Sequence, residues 1–257
     1  MYSALIQQLA IRMKVDYNTQ VKKRRFRAKA LFALLFAAVM LALALFLLIR
    51  RADESYETMG QSAAPTLVID AGHGGIDGGA ISEDGTKESD LNLAIALRLE
   101  SIIRFCGQKT VMTRWDDSSK TDMIGYSERK DLQRRAEVAN GIPGAVLISI
   151  HQDYYPTAQP RGAQVLYSGY QGSDRLGTAI QANLIGQLDP QNRRLAIPAP
   201  KELYLTANTR CPAVLVECGF MSNNFEVLNL KDSGYQTKLA LTIAASYLSF
   251  LGSESKT

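Results

Sequence analysis

Histidine and cysteine are scarce in this 257-residue chain, with two of the first and three of the second. An odd number of cysteines cannot complete a disulfide framework. Cys106, Cys211 and Cys218 each stand in apolar surroundings, so all three are expected as small buried hydrophobes. A Cys211–Cys218 bridge would have to close across an intervening strand, which is poor geometry. No C-x₂₋₄-C spacing occurs, and this argues against a thiolate zinc site. Walker A, H-E-x-x-H and G-x-S-x-G are absent as well. Gly72-His-Gly-Gly-Ile-Asp77 has aspartate where a dinucleotide fingerprint needs its last glycine. Ser127-Glu-Arg-Lys130 matches S-x-x-K but lacks the companion S-D-N and K-T-G elements. There is no internal repeat, and no low-complexity segment beyond one long apolar run.

That run, Ala30 to Ile49, holds twenty apolar positions without a break. At 1.5 Å per residue it is long enough to cross a bilayer core of about 30 Å. Residues 1–51 carry ten lysines and arginines against Asp16 alone, a balance of +9. The remainder carries 19 basic and 24 acidic residues, a balance of −5. The overall +4 therefore belongs to the N-terminal segment, and no nucleic-acid partner is expected. The basic collar before the run and Asp53, Glu54 and Glu57 after it place the N-terminus in the cytoplasm. A cleaved signal peptide would have a shorter apolar region closing on a small-residue site, whereas this one ends in Arg50-Arg51. The expected layout is a cytoplasmic tail (1–29), a single-pass anchor (30–49), a linker (50–65), an extracytoplasmic globular domain (66–252) and a short tail (253–257).

Within 66–252 strand-like and helix-like segments alternate. Thr66–Ile69 reads as a strand feeding a loop with five glycines between Gly72 and Gly79. Leu91, Ala94, Ile95, Leu97, Leu99, Ile102 and Ile103 make a helical stripe over Glu88–Phe105. Lys109–Thr113 is a second strand, Ser127–Asn140 a helix with Leu132, Ala136 and Ala139 inward, and Ala145–Ile150 a third strand. Gly162–Tyr167 reads as a strand, Leu176–Leu188 as a helix, Glu202–Thr206 as a short extended piece and Ala213–Glu217 as an apolar strand. Asn223 and Glu226 form a capping-box pair for a short helix, and Tyr235–Phe250 closes as an amphipathic helix. The pattern implies an α/β domain: a central, mostly parallel (mixed) sheet with helices on both faces.

In such sheets ligands lie beyond the carboxyl ends of strands. His73, His151 and Glu217 all fall at or just past such ends. A catalytic zinc takes three protein ligands and leaves its fourth position to water. His73 and His151 supply two, and the third is a carboxylate or a thiol. Glu88 is the best placed, since it opens the helix after the glycine loop. Glu217, the lone carboxylate after Ala-Val-Leu-Val, fits a general base and later a proton donor. The plainer alternatives are a favourable helix N-terminal charge for Glu88 and an ion pair with Arg135 or Arg114 for Glu217.

These residues resemble the zinc-dependent N-acetylmuramoyl-L-alanine amidases of bacterial cell walls. The matching pieces are Ile69-Asp-Ala-Gly-His-Gly-Gly-Ile-Asp-Gly-Gly-Ala80, Glu88 opening its helix, Thr113-Arg114 with Asp117, and Leu132-Gln-Arg-Arg135 to Ala139-Asn140. They continue through Ser149-Ile-His151, Arg161-Gly-Ala163 and Val216-Glu-Cys-Gly-Phe-Met-Ser-Asn223. The resemblance implies zinc on His73, Glu88 and His151, with Glu217 as the catalytic carboxylate. It implies peptidoglycan as substrate, with hydrolysis of the amide between the N-acetylmuramic lactyl group and L-alanine. The anchored layout and Gly125-Tyr-Ser-Glu-Arg-Lys130 resemble the sporulation branch, which strips cortex muramic acid so that muramic δ-lactam can form. Ala71, where proline is frequent, and Gln152-Asp153-Tyr-Tyr-Pro156 depart from the family pattern. No wall-binding repeat is visible, so targeting is expected to rest on the anchor or on a partner protein. The competing expectations are a non-catalytic muropeptide-binding scaffold and a zinc peptidase of the stem peptide.

Overall fold

The computed structural model describes residues 65–117 and 126–254, together with Met40. The expected tail, membrane span and linker up to residue 64 lie outside the described residues, Met40 apart. Among the described residues no helix is long and apolar enough to cross a membrane.

Six strands form one mixed sheet: β1 (Leu67–Ala71), β2 (Thr110–Met112), β3 (Val146–Asp153), β4 (Gln164–Tyr167), β5 (Ile197–Pro198) and β6 (Ala213–Phe220), in the order β2-β1-β3-β6-β4-β5. Neighbours run parallel except β4 against β6. The helices are α1 (Glu88–Phe105), α2 (Glu128–Asn140), α3 (Ser173–Gln187), α4 (Tyr204–Asn208), α5 (Asn224–Lys231) and α6 (Ser233–Glu254). One face of the sheet is packed by the apolar sides of α1, α3 and α6: Leu91, Ile95 and Leu99 meet Leu176, Ile180, Ile243 and Tyr247 there, together with Ile69, Ile148 and Val216. The other carries a smaller cluster in which Ala136 and Ala139 of α2 and Leu205 of α4 cover Val68, Leu147 and Ala213. Covered on both faces, β1 is wholly buried, which explains its unbroken apolar sequence up to Asp70.

From β1 the chain goes outward to β2 and then returns to the other side of β1 as β3. The sheet therefore has a switch point between β1 and β3, where crevices open at strand ends. On β6 an extra residue is accommodated against β3: His151 pairs with Glu217, but Asp153 pairs with Phe220. This bulge keeps Glu217 and Phe220 on the same face. Across β4 the register continues with Gln164 opposite Glu217. His151, Glu217 and Gln164 thus form one row across three strands.

Four local expectations need correction. Glu202–Thr206 is not extended; its second half enters the short helix α4, and the strand of this region is the two-residue β5 upstream. Leu205 and Thr206 are buried while Ala207 and Asn208 are exposed, so burial of one side decides the conformation. Cys106 is exposed, because it caps α1 where the helix runs out of the core; Cys211 and Cys218 are buried, and all three are free. The capping box forms only its first half. Asn223 Oδ1 accepts from the N–H groups of Phe225 and Glu226, while Glu226 turns away to accept from Gly162 and Phe220 N–H. β3 runs beyond Ile150 to Asp153 and β6 beyond Glu217 to Phe220, carrying His151 and Glu217 inside their strands rather than at or after their ends.

Candidate active site

Three side chains expected to converge do so. His73 lies two residues past β1, Glu88 is the first residue of α1, and His151 is on β3. One donor atom from each can be chosen so that all lie within 4.8 Å of one another. His73 Nε2 stands 3.3 Å from Glu88 Oε2, and His151 Nδ1 stands 3.0 Å from Glu88 Oε1. The two imidazoles meet edge to face, with centroids 5.0 Å apart. Donors around a tetrahedral zinc at 2.0–2.2 Å are separated by about 3.4 Å. The His73–Glu88 separation is close to that spacing, the His151 contact is made to the other carboxylate oxygen, and two imidazoles with a carboxylate are suitable zinc donors.

The glycine loop is shaped by this convergence. His73 itself has φ of 59°, a left-handed conformation costly for a side chain bearing Cβ. Its neighbours hold it there. Arg135 Nη2 donates to His73 O at 2.7 Å and its Nη1 to Ala71 O at 2.7 Å. Arg114 donates to Ala71 O at 2.9 Å and to Gly72 O at 3.0 Å. Gly79, at φ of 65°, is required for two reasons: a Cβ there would also lie 2.6 Å from Glu88 Oε2 and 2.7 Å from His73 Cδ2.

Behind the donors stands a polar network. Asp77 Oδ2 lies 2.8 Å from His73 Nδ1 and accepts its proton, which leaves Nε2 facing Glu88. Tyr126 donates to that same oxygen. Glu88 is held by Ala80 N–H, Gln152 N–H and Asn92 Nδ2. Burial disfavours charge on Glu88, but the two histidines hold its carboxyl far below the usual range. Burial likewise opposes charge on His73, yet hydrogen bonds and charge from Asp77 and Glu88 lift it to about 10. Metal binding there must therefore displace protons.

Asp70, buried near the end of β1, accepts from Arg135 Nη1 at 2.8 Å, Thr113 Oγ1 at 2.6 Å and Ser149 Oγ at 2.6 Å. Despite burial, Arg135 and these hydroxyls hold its carboxyl at about 2. Arg135 also bonds Asp131, one helical turn before it. Arg135 and Arg114, the two arginines expected as partners for Glu217, are thus committed elsewhere. Glu217 makes no ion pair among the described residues, and its Oε2 is buried without a hydrogen-bond partner. Burial pushes its carboxyl well above the ordinary value, with Glu88 and Asp153 adding to the effect. Glu217 lines one groove with His73, His151, Tyr126, Leu132 and Tyr204.

Asp70, Asp77 and Asn92 were not singled out from sequence, and Arg135 was named only as an ion-pair partner for Glu217, whereas it bonds Asp70 and Asp131. A readable signal existed for two of them. Asp70 interrupts an otherwise apolar strand, as Glu217 does, and Asn92 follows Glu88 at the one-turn spacing of a shared helix face.

A His–Glu–His donor set and a shielded carboxylate at a strand-end crevice are suited to metal-assisted hydrolysis. Residues 67–247 match the Amidase_3 family, N-acetylmuramoyl-L-alanine amidase, and the chain belongs to that family. It is 34% identical over 194 residues to the germination-specific N-acetylmuramoyl-L-alanine amidase of Bacillus subtilis, covering 72% of this chain and 78% of that one. The CwlD amidase of Clostridioides difficile, solved in complex with the GerS lipoprotein, superposes with a TM-score of 0.69 at 36% identity, covering 73% of this chain and 98% of CwlD. An N-acetylmuramoyl-L-alanine amidase of Clostridium difficile 630 gives 0.65 at 31% identity, with 75% and 99% covered. The protein is accordingly an N-acetylmuramoyl-L-alanine amidase, and its substrate is peptidoglycan.

Proposed function

We propose that this amidase is zinc-dependent, with His73, Glu88 and His151 holding the ion and Glu217 as the catalytic carboxylate. The observation that carries the reading is the convergence of the three donors beside the unpartnered Glu217 Oε2. Zinc in such a set supplies Lewis acidity, lowering the pKa of water to about 7 and polarising a carbonyl.

The chain's own residues do the rest. Asp77 fixes the His73 ring in the tautomer that leaves Nε2 as the donor. Asn92, Gln152 and Ala80 hold the Glu88 carboxylate from the protein side. Glu217, ionised when positive charge stands opposite it, takes a proton from the attacking water. It then returns that proton to the departing L-alanine nitrogen. One C–O bond forms at the lactyl carbonyl and one C–N bond breaks, leaving a carboxylate and an amine.

The biological setting proposed is the spore cortex, where removal of stem peptides precedes muramic δ-lactam formation. Similarity to the germination-specific amidase and to CwlD supports it. The apolar run 30–49 and its basic collar support a single-pass anchor with the catalytic domain outside the cytoplasm, in the cell wall or the forespore intermembrane space. Because CwlD has been captured with a lipoprotein, a protein partner that targets or activates this chain is part of the proposal.

The test is digestion of purified peptidoglycan by the full chain, before and after chelation and zinc return, with products weighed by mass spectrometry. Free lactyl carboxylates with intact peptides, lost on chelation and restored by zinc, are expected. Shortened peptides, no cleavage, or cleavage indifferent to chelation would overturn the reading.

A further inference from the structure

The row formed by His151, Glu217 and Gln164 does not end at Gln164. Arg194, on the loop before β5, donates from Nη1 to Gln164 Oε1 at 2.6 Å and from Nε to Arg161 O at 3.1 Å. Its guanidinium lies 4.6 Å from the centroid of the Phe220 ring, stacked on the residue that the β6 bulge turns to the Glu217 face. Gln164 is itself fixed from its other end, donating Nε2 to Leu195 O at 3.1 Å. An arginine has five N–H donors in a rigid fork, and these bonds commit two of them. Arg194 is thus a positioned cation, half-buried beside the row, with donors to spare among the described residues. Its charge is felt by the site: it favours the ionised forms of both Glu217 and Asp153. Asp153 itself is occupied locally, accepting from Tyr154 N–H.

Such a guanidinium is made for a carboxylate, which it grips through parallel N–H bonds. Adjacent strands lie about 4.8 Å apart, so Gln164 is about 5 Å from Glu217 and about 10 Å from His151 across the sheet. The substrate carries a carboxylate on this scale. In peptidoglycan the residue after L-alanine is D-glutamate linked through its side chain, and its α-carboxyl group is left free or amidated. That group lies about 7 Å from the scissile nitrogen, given 3.8 Å between successive Cα atoms. In the groove beside Glu217 the one arginine, Arg135, is already paired with Asp70 and Asp131.

We propose that Arg194, positioned by Gln164 and Phe220, binds the free α-carboxylate of the second stem-peptide residue and sets a preference for non-amidated stems. The proposal rests on the amidase activity assigned above and deepens it.

The experiment measures kcat and KM of the zinc-loaded full chain on two muramyl-peptide strand preparations that differ only in having that carboxyl free or amidated. A charge-assisted contact of this kind predicts a wild-type preference of about tenfold to a hundredfold in kcat/KM for the free carboxyl, expressed mainly in KM. In Arg194→Gln the ratio should fall to about one, and in Arg194→Lys, which keeps charge without the planar fork, it should remain several-fold. Equal hydrolysis of both preparations by the wild type would overturn the proposal without any variant being needed. So would a ratio that Arg194→Gln leaves unchanged, since a merely structural arginine would depress both substrates alike. No hydrolysis of either preparation by the wild type would overturn it together with the amidase reading.

Discussion

Replacing Asp70 by asparagine tests whether the site's frame is electrostatic. The carboxylate is buried and takes three hydrogen bonds, one from Arg135, which in turn grips the carbonyls of Ala71 and His73. Removing its charge leaves Arg135 buried with Asp131 as its one remaining salt-bridge partner among the described residues. Breaking one side of such a pair costs about 3–5 kcal/mol. The acid limb gives an independent figure. Folding lowers the Asp70 pKa from 3.8 to about 2. A depressed folded pKa stabilises the protein at all pH above the unfolded value, and that stability is lost as pH falls through the folded one. At about 1.4 kcal/mol per pH unit the contribution is about 2 kcal/mol, lost between about pH 4 and pH 2. Denaturant unfolding followed by far-UV circular dichroism, with chelator present so that metal binding does not enter, should show Asp70→Asn about 3–5 kcal/mol less stable than wild type at pH 7. The gap should shrink by about 2 kcal/mol on approaching pH 2, where the folded wild-type carboxyl is about half protonated. A gap under 1 kcal/mol at pH 7, or one that does not change with pH, would refute the reasoning.

Glu217→Gln should keep zinc while reducing kcat by about 10²–10⁴-fold, the worth of a positioned acid–base group; turnover at the wild-type rate would remove the assigned base. Asp77→Asn should weaken zinc about 10–100-fold in a chelator competition, because the His73 ring loses the carboxylate that fixes its tautomer. Gly79→Ala places a methyl group against Glu88 and His73 at a positive φ, so a loss of stability above about 1 kcal/mol with weakened zinc binding is expected in the same assays. Leu99→Ala, in the wholly buried stripe of α1, should cost about 2–5 kcal/mol in denaturant unfolding.

The strand-and-helix alternation was readable because this domain's elements are long, periodic and bounded by glycine or polar loops. The apolar run of β1 and the Leu91–Ile95–Leu99 spacing each identify their element on local grounds alone. Glu202–Thr206 was misread because five residues are too few to show a period. There the burial of Leu205 and Thr206 against the sheet chose the helix. Cys106 was misjudged for the opposite reason: its neighbours are apolar, yet it sits where α1 leaves the core. At the site, His73, Glu88, His151 and Glu217 could be singled out because a rare or charged residue follows an apolar run or opens a helix. Asp77 and Arg135 could not. Their importance lies in contacts to a backbone carbonyl or a ring nitrogen, and Arg135 bonds Asp70 from 65 positions away. Arg194 is still less visible, since only the bulge in β6 brings Phe220 under it.

Zinc counted per chain by elemental analysis, in the wild type and in His151→Ala purified alike, tests the central claim most directly. The geometry predicts about one zinc per wild-type chain and almost none in the variant, since two donors hold the ion far less well than three. Full zinc in His151→Ala, or a wild type that is active with none, would contradict it.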